Sequence, residues 1–240
     1  MFSLSTSSLV LMFSIEYDIC SGGSKGEKDM SMGERNKNRR FYHLVKRMID
    51  VVLSLFGLVL ISPFVVIIAI LIKIDSKGPV FFKHHRIGKN GKPFSMYKFR
   101  TMKDGAEAMI NDFTPEQLEE WNENFKLKDD PRITRIGKFL RKTSLDELPQ
   151  LVNILRGDMS IVGPRPVIEV ELEEYGNDKD EFLSIRPGLT GWWASNGRSE
   201  ISYPERCSYE LYYVRNESFW LDVKVMFLSV FSVFLHKGAR

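Results

Sequence analysis

Cysteine and histidine are scarce in this chain, and their scarcity excludes several chemistries. Two cysteines, Cys20 and Cys207, make neither a disulfide framework nor a zinc site, and such sparing use fits a reducing compartment. The four histidines (43, 84, 85 and 236) show no His-x-x-x-His spacing and have no cysteine near them, so neither zinc nor iron is expected. A convincing signal peptide is missing too. Leu9 to Phe13 is apolar, but no basic residue precedes it and no small-residue cleavage motif follows. Residues 21–40 hold almost nothing to bury, so residues 1–40 read as a disordered tail. Met30 and Met32 lie inside that tail, and either is a candidate start.

Charge is absent from Val51 to Ile72, a run of Val, Leu, Ile and Phe about long enough to cross a bilayer core. A single-pass anchor is the simple reading, and two features oppose it. Ser62-Pro63 falls at the midpoint, where proline removes a helical hydrogen bond and bends the helix. Basic residues also flank both ends, Arg39, Arg40, Lys46 and Arg47 before the run and Lys73 and Lys77 after it, which draws both ends to the cytoplasm. A re-entrant helix over residues 41–75, bent at Ser62-Pro63, satisfies both facts, although kinked spanning helices are tolerated as well. Asp50 at the mouth of the run needs a partner, and Lys46 or Arg47 is placed to pair with it.

Acid is missing next, with none between residues 78 and 103. Seven lysines and arginines there surround a hairpin signal at Lys89-Asn90-Gly91-Lys92. Such a patch suits a solvated or headgroup-facing surface. Tyr97 and Phe99 interleave with it as a base-stacking platform would, but no nucleic acid is expected as a partner. Residues 104–130 form a polar helical insert, with Thr114, Pro115 and Gln117 set as cap, first helical residue and capping partner. Next comes an amphipathic helix, basic along Arg132, Arg135, Lys138, Arg141 and Lys142 and apolar along Ile133, Ile136, Phe139 and Leu140.

Asp146 and Glu147 follow at once. Adjacent carboxylates beside clustered cations suit a site that takes a divalent ion together with a phosphate-bearing substrate. The bland alternative is a capping box, Ser144-x-x-Glu147, opening a helix from Leu145 to Leu155 that Gly157 closes. Gly163-Pro164-Arg165-Pro166 brackets an arginine with two prolines and makes a stiff loop able to aim one guanidinium, or else a plain turn. Arg186-Pro187-Gly188 and Asn196-Gly197-Arg198 are similar turns bearing one arginine each. Trp192 and Trp193 read as buried or as interface anchors rather than as stacking groups. The stretch 216–240 is too interrupted to span and too apolar for an ordinary surface, which suits an interfacial helix.

Taken in order, several motifs carry a resemblance. They are Lys46-Arg47-x-x-Asp50 before the Ser-Pro-interrupted run, Tyr97-Lys98-Phe99-Arg100-Thr101-Met102, and Asp130-Pro131-Arg132-Ile133-Thr134-Arg135-Ile136-Gly137. Ser144-Leu145-Asp146-Glu147-Leu148-Pro149-Gln150, Gly157-Asp158-Met159-Ser160, Val162-Gly163-Pro164-Arg165-Pro166 and Arg186-Pro187-Gly188-Leu189-Thr190-Gly191 complete the set. Over roughly residues 42–235 the chain resembles the bacterial sugar transferases, the monotopic phosphoglycosyl transferases.

The resemblance implies an enzyme that moves a sugar-1-phosphate from a UDP-sugar to polyprenyl phosphate on the cytoplasmic face of the bacterial inner membrane. Asp146 matches the nucleophile, which forms a phosphosugar-aspartyl ester and releases UMP, and Glu147 matches the residue that holds Mg²⁺, with Asp146 beside it. Lys98, Arg141, Arg165 and Arg198 are the substrate-binding candidates. The expected fold class is α+β and mainly helical. A small catalytic domain at 76–215 follows the re-entrant element and precedes the interfacial helix, with inner-membrane lipid as a further partner and a homodimer left open. A non-enzymatic membrane-bound anion-binding adaptor and a metal-dependent phosphatase are the alternatives.

Overall fold

The computed structural model describes residues 32–124, 127–197 and 201–234. The chain divides into two units, Met1–His43 and Leu44–Arg240. The described part of the first unit is the opening of helix α1, Met32–Asp75, where the Tyr42 and His43 rings lie 5.2 Å apart.

Within the second unit α1 runs to Asp75 with Pro63 inside it. Proline cannot donate to the carbonyl four residues back, which is that of Val59. The Ser62 hydroxyl donates to that carbonyl instead, at 2.8 Å, so the Ser-Pro pair supplies its own replacement bond. Among the described residues this is the one helix long and apolar enough to cross a membrane. Most of its large side chains stay exposed, Phe56 and Phe64 among them, as do Phe81, Phe82, Phe139, Trp220 and Phe227 elsewhere in the unit.

Polar bonds tie both ends of the apolar run to the rest of the unit. Arg47 donates to the Ile154 and Leu155 carbonyls at 2.5 and 2.9 Å. Lys46 meets Asp222 at 2.6 Å, and Asp222 also accepts from the Tyr213 hydroxyl. Asp50 accepts from the Ile161 N–H at 2.9 Å. The expected pairing of Asp50 with Lys46 or Arg47 therefore does not form as a direct contact, because each finds a partner on the folded body. At the far end Asp75 accepts from the Ile136 N–H at 2.9 Å, and Arg100 donates to the Ser76 and Lys77 carbonyls.

Strands β1 (Phe81–Ile87) and β2 (Pro93–Phe99) form the expected antiparallel hairpin, turning through Asn90 in the left-handed region at φ 57°. Alternation along β2 sends Phe99 into a core with Ile68, Ile72 and Leu140, while Lys98 and Met96 face the other way. Phe99 is thus a core side chain and no stacking platform. The insert holds α2 (Pro115–Asn124), and its capping box forms as the sequence predicts. Gln117 N–H donates to Thr114 Oγ1 at 3.3 Å, and Thr114 N–H donates to Gln117 Oε1 at 3.0 Å.

Helix α3 (Arg135–Thr143) is amphipathic, but its faces are not divided as the sequence suggested. Phe139 is exposed, whereas Arg132 just before the helix is buried against Asp130, making bonds of 2.8 and 2.6 Å, with its guanidinium 4.5 Å from the Trp121 ring. Gly137 lets the helix press on the Thr101 carbonyl, a space any Cβ would fill.

Helix α4 (Gln150–Arg156) ends on Gly157 at φ 90°. The short strands β3 (Ser160–Val162) and β4 (Gly188–Thr190) pair in parallel, and between them lie the turns α5 (Glu169–Leu172) and α6 (Lys179–Phe182). After β4 come α7 (Trp192–Ser195), α8 (Glu205–Asn216) and α9 (Phe219–Phe234). Helices outnumber short strands throughout, so the architecture is the mainly helical α+β kind. Tyr213 and Val214 of α8, Val225 of α9 and Val162 of β3 close the second core.

Candidate active site

The dyad sits on a turn created by two local constraints. Ser144 ends α3 in the left-handed conformation, φ 57° and ψ 16°, with its N–H returned to the Arg141 and Leu140 carbonyls. Pro149 has no N–H for the Leu145 carbonyl, so an α-helix starting at Leu145 would lose one of its first bonds there. A single 3₁₀ turn, Leu145–Glu147, fills the gap, and α4 begins only at Gln150. The capping box and the continuous helix from Leu145 to Leu155 are both corrected by this. Ser144 makes no side-chain cap bond, and the Glu147 carboxylate pairs with Lys98.

Asn153 sets the turn against the hairpin. Fully buried on α4, it accepts from the Tyr97 N–H at 2.9 Å and donates to the Ser95 carbonyl at 2.8 Å, mimicking a neighbouring strand along the edge of β2. The next residue on that strand is Lys98, whose ammonium lies 2.7 Å from Glu147 Oε1 and 3.8 Å from Asp146 Oδ2. Arg141 Nε donates to Thr101 Oγ1 at 2.9 Å. Two carboxylates and two cations therefore share one small region.

Burial dominates the electrostatics of Asp146. The residue is only 8% exposed, and desolvation raises its carboxyl above the usual range; Lys98 opposes this, Glu147 adds to it and Arg141 opposes it. Arg141 is lowered first by its own burial and supported by the charges of Asp146 and Asp130. Burial strips Asp146 of the water that would blunt a carboxylate's nucleophilicity, while Lys98 and Arg141 favour its charged form.

A cleft opens from this turn. Met96, Lys98, Glu147 and Gln150 line one side, and Arg165, Trp193 and Glu210 line the other. Of the residues singled out in the sequence, Asp146, Glu147, Lys98, Arg141 and Arg165 are brought to this region, whereas Arg198 lies outside the described residues. Trp193 lines the cleft, with the Arg165 and Arg206 guanidiniums 5.6 and 4.3 Å from its ring. Gln150, Glu210, Arg86 and Arg206 escaped the sequence reading. Only the four-residue spacing of Arg206 and Glu210 on one helix hinted at the last pair.

Among the described residues no three His, Cys, Asp or Glu side chains gather into a metal cage. Asp146 and Glu147 supply two adjacent carboxylates, and Mg²⁺ commonly takes one or two, completing its shell with water and phosphate oxygens. The donor set thus fits Mg²⁺ held jointly with a phosphate-bearing ligand.

Comparison with known proteins agrees with the geometry. The family described as bacterial sugar transferase matches residues 41–236. The chain belongs to the bacterial sugar transferase family. The exopolysaccharide production protein ExoY of Sinorhizobium fredii is 44% identical over 197 residues, covering 81% of this chain and 87% of that protein. The undecaprenyl-phosphate galactose phosphotransferase of Salmonella typhimurium is 41% identical over 209 residues, 86% of this chain but 44% of its relative. The UDP-glucose:undecaprenyl-phosphate glucose-1-phosphate transferase of Escherichia coli is 43% identical over 204 residues, with 82% and 41% covered. The chain therefore spans most of ExoY and less than half of these two transferases.

Proposed function

We propose that this chain moves a sugar-1-phosphate from a UDP-sugar to polyprenyl phosphate, an early membrane step in the synthesis of a bacterial surface glycan. The observation that carries the reading is the Asp146 carboxylate, desolvated yet flanked by Lys98 and Arg141, on a turn that opens into a cleft lined by Arg165. The names of the relatives supply the substrate class.

In this reading an Asp146 oxygen attacks the β-phosphorus of the donor. The bond from that phosphorus to the bridging oxygen breaks, and UMP leaves with the electron pair. The sugar phosphate stays on Asp146 as an acyl phosphate until an oxygen of polyprenyl phosphate attacks the same phosphorus and frees the carboxylate. Splitting the transfer in two avoids bringing two large anionic substrates together at once. Lys98, Arg141 and Arg165 offset the repulsion between carboxylate and phosphate. Glu147, with Asp146, would hold Mg²⁺, which supplies further charge neutralisation on the diphosphate when bound.

The membrane element fits as a re-entrant helix that bends and returns to the cytoplasmic face. Straight, the helix from Arg47 to Asp75 rises about 42 Å, more than the roughly 30 Å of a hydrocarbon core. A spanning helix would separate those residues across the bilayer, yet both hydrogen-bond to the same folded body. The exposed apolar residues of α1 and α9 then lie in lipid, with α9 along the interface.

Membranes carrying the chain, supplied with radiolabelled UDP-sugars and polyprenyl phosphate, test the proposal. Lipid-linked label with UMP release supports transfer. Free sugar phosphate indicates hydrolysis, and no turnover of any donor indicates a binding protein. Asp146→Asn should abolish transfer while leaving the chain in the membrane; full activity in that variant would refute the nucleophile.

A further inference from the structure

The Gly163–Pro166 loop has almost no freedom, and its anchoring can be followed group by group. Gly163 N–H bonds the Thr190 carbonyl at 2.9 Å, and the Pro164 carbonyl accepts from Gly188 N–H at 2.8 Å. Arg86 Nη1 donates to the Pro166 carbonyl at 3.2 Å. Neither proline has an N–H, so between Gly163 and Val167 the only backbone donor belongs to Arg165 itself. That donor goes to Glu210 Oε1 at 3.2 Å.

Glu210 is an unusual group to find there. It is 1% exposed, its Oε2 has no hydrogen-bond partner, and its nearest cation, Arg206, stands 3.9 Å away without forming a hydrogen bond. A carboxylate buried with so little compensation is costly to keep. The other side of the contact is Arg165, which lines the cleft and whose Nε is likewise buried without a partner. Two buried, half-satisfied groups joined through one backbone bond, on the wall facing Lys98 and Glu147, point to a role in ligand binding rather than in packing alone.

We infer that Glu210 is a positioning residue: by holding the single N–H of the loop it fixes the direction in which Arg165 presents its guanidinium to the diphosphate donor. The inference rests on the proposed reaction for the identity of the donor. It assigns Glu210 no contact with the reacting atoms.

Reach and charge can be separated at this position. Glu210→Gln keeps the length and an acceptor oxygen while losing the charge. Glu210→Asp keeps the charge but falls one methylene short of the Arg165 N–H. The full-length protein in detergent, assayed for transfer and for UDP binding by calorimetry, should show Glu210→Asp with a donor KM and a UDP Kd raised about tenfold and kcat little changed, as loss of a buried bond predicts. Glu210→Gln should stay within about threefold of the unmodified protein. Arg165→Ala should weaken UDP as much as Glu210→Asp, and the double variant should be no worse than Arg165→Ala alone, since both act through one group. Equal losses in Gln and Asp, or multiplying losses in the double variant, overturn the inference. Loss of transfer in the unmodified chain with UDP binding intact would sink the reaction instead, and the UDP affinities of the variants would still decide the role of Glu210.

Discussion

Lys98 gives its shorter contact to Glu147, at 2.7 Å, and stands 3.8 Å from Asp146. The ammonium therefore bridges the dyad while leaning away from the carboxylate proposed to attack. A lysine so placed lets two adjacent acids be ionised together, and it leaves the Asp146 oxygens less tightly bonded than a direct pair would.

Removing that bridge should be felt in rate and in pH dependence. Burial already raises Asp146, and Lys98 is the largest influence pulling it down. In Lys98→Gln the carboxyl rises further, so the acidic limb of the pH–rate profile moves to higher pH. Activity at neutral pH should fall about a hundredfold, the order seen when one charge-stabilising group is lost. An unchanged profile would show that Lys98 does not tune the dyad.

Asp130 and Arg132 make a second, structural use of paired charge. Both side chains are 4% exposed, and Arg132 also lies over the Trp121 ring. Asp130→Ala strands a buried guanidinium and should cost about 3–5 kcal/mol of stability, measured as a lower midpoint of thermal or denaturant unfolding in detergent. Hydrogen bonds from Arg132 outweigh burial and hold the Asp130 carboxyl below its ordinary value. The stabilising contribution is therefore present above the unfolded carboxyl's range near 3.8 and lost as pH falls through the depressed value.

Glu210 should act in the opposite sense. Burial pushes its carboxyl up to about 7, against 4.5 when exposed. Between those values the folded chain holds a proton that the unfolded chain has given up, so stability declines as pH rises from about 4.5 to 7. The Glu210→Gln variant should lose this slope and unfold at a higher temperature than the parent at pH 8. Melting curves across that pH range provide the check.

Gly137 makes a prediction about distance. Alanine there would drive its methyl group into the Thr101 backbone and lift α3 from the strand end. Arg141 would lose its bond to Thr101 Oγ1 as a result. Gly137→Ala should lower both stability, by about 1–3 kcal/mol, and donor turnover, read as a lower unfolding midpoint and slower UMP release.

What the sequence made legible was local. The Thr114–Gln117 capping box, the Lys89–Gly91 turn and the Gly157 helix stop each depend on residues within a few positions of one another, and each forms. The dyad and the stiff arginine loop were legible for the same reason. Local chemistry also misled, since Ser144-x-x-Glu147 has the spacing of a capping box but Ser144 is left-handed and caps nothing, and Pro149 withholds an N–H the helix would use. Asn153, Glu210 and Arg86 were not readable, because their partners lie tens of residues away and nothing in their own neighbourhoods marks them. Asp50 shows the limit of spacing arguments: Lys46 and Arg47 are near it along the chain, yet its bond is made to Ile161.

The anchors of α1 carry a consequence for how the chain is made. Arg47, Asp50 and Asp75 are held by Ile154, Leu155, Ile161 and Ile136, all of which leave the ribosome after the apolar run itself. The greasy segment must therefore find lipid, or a chaperone, before the body that retains it exists. The bonds that hold both ends of the run close on a segment that has already been made.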